Sequence, residues 1–221
     1  LEFRRVLFRS RTIVDAVAEG RQLFQNLRLA FGYLLLVHLP LVIGAAAIPL
    51  MGLPLLFLPI HIVWLELVIH PTAMLAFQEL ASPGPLAAVR RQRRARFFSN
   101  AAWLGIGLVA ALVSALVIWS YLHALGADRD VEHARAMALA VLLVASAAIT
   151  AALTGLRQAT ARWIVAGTLG SLAMLVQIPA ISRLLNLRPL HGADWALVAA
   201  AFAVIGMATI GLAWWLRHHP E

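Results

Sequence analysis

The sequence predicts an all-α protein, a polytopic membrane helical bundle with six transmembrane helices and an N-terminal cytosolic stalk helix. Of its 221 residues, 62% are hydrophobic and 13% are charged, and the mean hydropathy is +0.85. Soluble domains contain about 45–50% apolar and about 25% charged residues. The charges lie in short clusters between apolar stretches, each near the ~20 residues that a membrane-spanning helix needs. The composition therefore excludes a water-soluble enzyme core.

The net charge is +8, and all 18 residues in the lysine-plus-arginine count are arginines. Basic residues flanking apolar spans set the orientation of a membrane protein, because cytoplasmic loops are enriched in them. If the stalk is cytosolic, only four arginines after residue 10 fall on the opposite side: Arg129, Arg135, Arg183 and Arg188. This imbalance predicts a multi-pass protein with both ends cytosolic. Its expected partner is membrane lipid, and binding of nucleic acid is not expected. The absence of cysteine excludes disulfides and thiolate metal sites.

The N-terminal region divides into two parts. Residues 1–10, from Leu1 to Ser10, resemble a translated sequencing adapter, so we expect an assembly artefact and place the start of real structure near Arg11; a basic cytoplasmic leader is the alternative. Residues 11–28 have helically spaced apolar side chains among polar ones, which predicts a cytosolic stalk helix. No proline precedes Pro40. The stalk is therefore expected to continue into the first span without a break.

The remaining chain is predicted to contain three regions. Residues 29–78 form a transmembrane hairpin with an ion site, residues 79–98 form a cytosolic arginine-rich loop, and residues 99–221 form a four-helix C-terminal transmembrane bundle. The loop contains Arg90, Arg91, Arg93, Arg94 and Arg96. The six predicted spans are Leu29–Leu50, Phe57–Phe77, Ser99–Leu122, Ala134–Thr154, Trp163–Ile181 and Trp195–Leu216.

Glu66 is the only acidic residue in the middle of a predicted span. A charged side chain there costs about 2.5–3.5 kcal/mol on insertion scales, and such residues commonly mark an ion or proton path. The alternative is a protonated carboxyl group that is hydrogen-bonded between helices. His70 follows four residues later, on the same helical face, and the hairpin lets His38 approach from the first span. These three side chains are the candidate ion-binding residues.

Two prolines accompany this group. Pro40 and Pro71 lack the amide proton that would bond the carbonyls of Leu36 and Leu67. We therefore predict that the two prolines break their helices and that these backbone carbonyls add to the ion site, as in the broken helices of transporters. A simple helix kink is the alternative.

The other histidines are expected at solvated, interfacial positions without a role: His61, His123, His133, His191, His218 and His219. No phosphate-binding glycine loop or nucleophile triad is present in the sequence, so this chain is predicted to contain no catalytic residue and no cofactor.

Several motifs together resemble bacterial P-type cation-transporting ATPases of the calcium-pump-like branch, in the stalk and the first two spans after their catalytic domains. The motifs are Ala18-Glu19-Gly20-Arg21, Asn26-Leu27-Arg28, Tyr33-Leu34-Leu35, His38-Leu39-Pro40 and the run from Leu58 to Leu67. The resemblance implies a bacterial plasma-membrane pump that couples ATP hydrolysis, with Mg²⁺, to transport of a cation or proton. It also implies that the phosphorylation and nucleotide-binding domains precede this chain as missing N-terminal partners.

The sequence departs from calcium pumps at the ion site. In the first of these spans, calcium pumps typically have Asn at the position of His38 and Glu at the position of Leu41. In the second span they typically have Asn, Thr and Asp at the positions of Glu66, Ile69 and His70. Calcium prefers about six to eight oxygen ligands, whereas one carboxylate with two imidazoles suits a proton or a borderline transition metal. The identity of the transported ion therefore stays open. Two other functions also remain: a non-transporting scaffold or degenerate pump partner, and a secondary proton-coupled transporter.

Overall fold

The computed structural model describes the backbone of residues 2–78, 97–128 and 130–218, and the side chains of residues 16–78, 97–127, 130–216 and 218. Within these ranges the chain forms helices and no strands. The helices are α1 (Glu2–Leu50), α2 (Pro59–Leu75), α3 (Asn100–Asp128), α4 (Val131–Thr154), α5 (Ala159–Gln177), α6 (Pro179–Leu184) and α7 (Gly192–His218). The predicted all-α class is confirmed.

Five of these helices, α1, α3, α4, α5 and α7, are long and apolar enough to cross a membrane. Helix α2 is also apolar but has only 17 residues. At 1.5 Å per residue it is about 25 Å long, which lies at the short end for a transmembrane helix. The five long helices and α2 correspond in order to the six predicted spans. The protein is therefore a multi-pass membrane helical bundle.

Helix α1 is continuous over 49 residues, as expected for a stalk that runs directly into a span. It begins at Glu2, nine residues before Arg11, and the expectation that residues 1–10 are an assembly artefact stays a prediction. The segment before Arg11 contains neither glycine nor proline, and nothing in it interrupts a helix. Gly52, with φ 75°, follows the end of α1 in the left-handed conformation typical of a helix C-terminus.

Several predicted span boundaries shift in the structure, by up to six residues. The fourth of the five long helices, α5, ends at Gln177 and not at Ile181, and the short helix α6 starts at Pro179. Proline cannot donate an amide hydrogen bond to the preceding turn, so it favours the first turn of a new helix. Helix α3 continues to Asp128, six residues beyond the predicted Leu122. The arginine-rich part of the loop, residues 79–96, lies outside the described residues.

Helix α4 is the centre of the bundle and contacts α1, α2, α3, α5 and α7. All its residues from position 136 to position 150 are buried. Many of them are alanine, and small side chains let neighbouring helices approach closely in a membrane protein. The helix is capped by Asp130 at its N-terminus and by Gly155, with φ 62°, at its C-terminus. Both caps satisfy backbone groups that would otherwise lack partners.

The bundle has two ends, each joined by long-range hydrogen bonds. At the stalk end, Asn26 donates from Nδ2 to the carbonyl of Gln78 at 3.0 Å, which fixes α1 against the end of α2. At the far end, His61 bonds through Nε2 to the carbonyl of Leu185 at 2.6 Å. Arg135 donates there to the carbonyl of Leu55 at 2.9 Å. The Asn26 bond and the short connection between the helices hold α1 and α2 as an antiparallel hairpin, whereas the two far-end bonds tie that hairpin to α6 and α4.

Candidate functional site

The hairpin brings the three predicted ion-binding side chains into one cluster, named here the mid-membrane cluster: His38, Glu66 and His70. Nε2 of His38 lies 3.3 Å from Oε1 of Glu66. Nδ1 of His70 lies 2.8 Å from Oε2 of the same carboxylate. Each carboxylate oxygen therefore faces a different imidazole, one from α1 and one from α2. The predicted proximity of these residues agrees with the geometry, whereas their role in ion binding stays a prediction.

The cluster lies at the border between the packed and the exposed faces of α2. The packed face contains Leu65 and Ile69, both fully buried. The side chain of Glu66 is 31% exposed, that of His38 is 33% exposed and that of His70 is 60% exposed. The carboxylate is thus held against the hairpin and is not directed away from the protein. His70 completes the cluster on its open side.

The hydrogen bonds of His38 restrict where a proton can reside. Its Nδ1 lies 3.0 Å from the carbonyl of Leu34, which only accepts, so Nδ1 must be the donor. A neutral His38 then presents an unprotonated Nε2 to Glu66. Two acceptors at 3.3 Å repel each other unless a proton lies between them, either on the carboxyl group or on the imidazole. The contact between His38 and Glu66 is therefore favourable when the two groups share a proton.

Oε2 of Glu66 is shielded, and within the described ranges no donor reaches it with hydrogen-bond geometry. Nδ1 of His70 lies 2.8 Å from this oxygen, but its hydrogen bond is with the backbone carbonyl of Glu66 at 3.3 Å. The contact with the carboxylate oxygen is therefore electrostatic. A buried acceptor without an aligned donor carries a desolvation cost. This oxygen therefore has an unused capacity to bind a proton or a cation.

The prediction that Pro40 and Pro71 break their helices is wrong. Both prolines lie inside continuous helices, Pro40 within α1 and Pro71 within α2. A single missing amide is tolerated in a transmembrane helix because neighbouring groups and small adjustments satisfy the backbone. Proline still cannot donate to the carbonyls of Leu36 and Leu67. Leu36 is buried and Leu67 is exposed, so the two carbonyls occupy different surroundings and their role as ligands stays a prediction.

Among the described residues, the mid-membrane cluster does not bring three ligand atoms within 4.8 Å of one another, and its two rings contact opposite oxygens of Glu66. Among the residues that the structure describes, the group with three ligand atoms within 4.8 Å of one another is at the far end, and it comprises His133, His191 and Asp194. We name it the far-end cluster. Sequence reasoning assigned its histidines no role. The spacing of His191 and Asp194 on one turn was the only signal in the sequence.

The expectation that the unassigned histidines are solvated is wrong for His61 and His133. His61 is fully buried and His133 is 4% exposed. His61 accepts from the amide of Leu58 at 3.2 Å and donates to Leu185, so it joins the start of α2 to the end of α6. His123 and His218 are exposed as expected and pack against Trp119 and Trp214. His219 lies outside the described residues.

The multi-pass helical bundle, with an ionisable cluster inside one hairpin, defines an integral membrane protein. The family described as "Cation transporting ATPase, C-terminus" matches residues 54–216. The chain belongs to this family and is the C-terminal transmembrane region of a P-type cation-transporting ATPase. The match includes Glu66 and His70, while His38 lies before it. No curated protein matches the chain significantly.

Proposed function

We propose that this membrane region of a cation-transporting ATPase binds and releases protons at Glu66, with His38 and His70 as its partners. The observation that carries the proposal is the contact of both carboxylate oxygens with imidazoles, at 3.3 Å and 2.8 Å. One carboxylate between two imidazoles offers two neighbouring proton positions. Carboxylate and histidine groups within spans are typical of proton relays.

The charge balance of the cluster supports a proton as the bound species. A carboxylate in a span is costly when ionised and much less costly when it is neutralised. Because Nδ1 of His38 donates to Leu34, a proton between Nε2 and Oε1 removes both the repulsion and the net charge. A larger metal ion would need ligand atoms that converge on one point, and these two rings face different oxygens. The geometry therefore favours a proton over a metal.

The proposal also includes the energy source of transport and the surroundings of the site, both of which rest on the family. ATP hydrolysis with Mg²⁺ would occur in N-terminal catalytic domains of the same protein, in a bacterial plasma membrane with both ends of this chain cytosolic. The stalk part of α1 would transmit the motion of those domains. Further spans of the protein would cover the open side of α2, where His70 and Leu67 are exposed.

The test is proton movement by the full-length protein in sealed proteoliposomes, followed with a pH-sensitive dye after addition of MgATP. Glu66→Gln removes the ionisable group but keeps the size and hydrogen-bonding capacity of the side chain. We expect ATP-driven proton movement to fall by at least about 100-fold, the loss typical when a required proton-transfer group is removed. Reconstituted amount and unfolding temperature should stay close to those of the unmodified protein.

The matched control is Glu132→Gln, the same chemical change at a half-exposed residue whose partner is Arg188. It should leave proton movement unchanged. Equal proton movement in Glu66→Gln and the unmodified protein would contradict the site. If MgATP drives transport of a metal cation without any proton movement, the choice of the proton is wrong. If the unmodified full-length protein transports nothing, a non-transporting partner is the better description.

A further inference from the structure

We propose that the far-end cluster, His133, His191 and Asp194, is a binding site for a borderline divalent transition metal, with Zn²⁺ as the representative ion. The site is separate from the mid-membrane cluster and independent of the proposed proton path. It joins the N-terminus of α4 to the N-terminus of α7. Two imidazoles and one carboxylate are a ligand set that suits such metals, and three protein ligands leave a fourth position for water.

The two helix starts place the ligands. Asp130 caps α4 by accepting from the amides of Glu132 and His133, so the buried ring of His133 is fixed in the first turn of α4. Asp194 lies in the first turn of α7 and accepts from the amide of His191 at 2.7 Å, in the manner of a capping box. Backbone capping therefore brings the three side chains to one point before any ion binds.

Two of the three ligand separations in the far-end cluster match a tetrahedral metal site, and the third is within 4.8 Å. Oδ2 of Asp194 lies 3.5 Å from Nε2 of His133 and 3.3 Å from Nδ1 of His191. Ligands at ~2.0–2.1 Å from a tetrahedral Zn²⁺ are separated by roughly 3.3 Å. Both imidazoles therefore already face the same carboxylate oxygen at close to the separation that a shared ion requires. Only small side-chain movements are needed to close the site.

The charges around the cluster leave a position for a cation. Arg188 forms ion pairs with Asp130 at 2.8 Å and with Glu132 at 3.8 Å. In the part of the chain with described side chains, the ion-pair partners of Asp194 are the two imidazoles, which are charged only when protonated. The carboxylate is 17% exposed, and a largely buried charge requires a cationic partner. A divalent ion supplies it.

Helix capping alone does not explain the arrangement. The bond from the amide of His191 accounts for Asp194, but it does not require the ring of His133 to face the same oxygen. The rings of His133 and His191 lie 5.5 Å apart at 30° to each other. The side chain of His191 is 77% exposed, so an ion can reach the cluster from the surrounding solvent. A bound ion would link α4 to α7, its principal neighbour.

The experiment measures Zn²⁺ bound to the full-length protein in lipid nanodiscs by equilibrium dialysis and elemental analysis, with thermal unfolding as a second readout. All variants are made in the Glu66→Gln background, which removes the carboxylate of the mid-membrane cluster, so that differences between them report on the far end. We expect His191→Ala and Asp194→Asn each to lower the number of bound ions by one per molecule, or to weaken that site by at least about tenfold. The Zn²⁺-dependent rise in unfolding temperature should disappear with it.

The matched control is His123→Ala, which removes another exposed histidine at the far end that stacks on Trp119 at 5.1 Å. This variant should bind as many ions as the background protein. Unchanged Zn²⁺ binding in both His191→Ala and Asp194→Asn would overturn the proposal. An equal loss in His123→Ala would also overturn it, because binding would then be a general property of surface histidines. His191 is exposed, so its variant tests binding without disturbing the packed core.

Discussion

The mid-membrane cluster and the far-end cluster contain the same chemical groups, two imidazoles and one carboxylate, but they arrange them differently. In the mid-membrane cluster, each carboxylate oxygen faces its own ring, and the ring planes are nearly perpendicular at 86°. In the far-end cluster, one oxygen faces both rings, whose planes differ by 30°. The first arrangement offers two separate positions for a proton, and the second offers one shared position for a metal.

The difference follows from the secondary structure that holds each carboxylate. Glu66 is in the interior of α2, where its backbone is already hydrogen-bonded, so both oxygens are available to side chains. Asp194 is in the first turn of α7, where its Oδ2 atom accepts from a backbone amide. The backbone bond thus holds one oxygen of Asp194 beside both rings, whereas the two oxygens of Glu66 face one ring each. Composition alone does not distinguish the two sites.

The largest expected effect concerns His38. His38→Gln removes the titratable nitrogen that faces Oε1 of Glu66, so ATP-driven proton movement should fall by about 100-fold. The dye assay in proteoliposomes measures the loss. His123→Gln, the same change at an exposed ring of the far end, should lower the rate by no more than about twofold, as is usual for exposed positions outside a site. Equal rates for the two variants would remove the distinction between the two regions.

A smaller effect is expected from the structural role of Asp194. Asp194→Ala removes the acceptor for the amide of His191, and losing such a cap costs about 1–2 kcal/mol of unfolding free energy. Asp194→Asn keeps an acceptor oxygen and should cost less than half as much. Reversible unfolding in the absence of added metal gives both values. If the two variants are equally destabilised, the carboxylate contributes through its charge and not through capping.

The smallest effect is expected from Pro71. Pro71→Ala gives the carbonyl of Leu67 an amide partner within a helix that is already continuous. Proton movement should change by less than about twofold and stability should rise by at most about 1 kcal/mol, because no native hydrogen bond is lost. The proteoliposome assay and unfolding curves provide the measurement. A large loss of proton movement would instead show that the free carbonyl of Leu67 takes part in the mid-membrane cluster.

The sequence was sufficient to predict the mid-membrane cluster as a set of neighbours because its geometry is local. Glu66 and His70 are one turn apart, and a short connection forces the helix with His38 to lie alongside them. The continuous stalk and the central position of Glu66 were predictable for the same reason. The continuation of both helices through Pro40 and Pro71 was not, since local proline chemistry does not include the packing that compensates for a missing amide.

The far-end cluster depends on the packing of α4 against α7, whose ligands lie about 60 positions apart in the sequence. Hydropathy predicts both helices but not which faces meet. The burial of His61 and His133 was missed for a similar reason, because each is covered by elements that are distant in the chain. Helix type and approximate boundaries are therefore local properties here, whereas lateral neighbours are not.

The proline distribution along α1 makes its two halves mechanically unequal. From the start of the described side chains at Ala16 to His38, the helix runs for about 33 Å without a proline. Pro40 follows two residues after His38, and Pro49 lies near the end of the helix. A helix that is stiff up to His38 and more flexible beyond it should transmit a rotation as far as His38, while the segment after His38 bends. We therefore expect that a domain rotating the N-terminal end of α1 changes the distance between His38 and Glu66 before it disturbs the far end of the bundle.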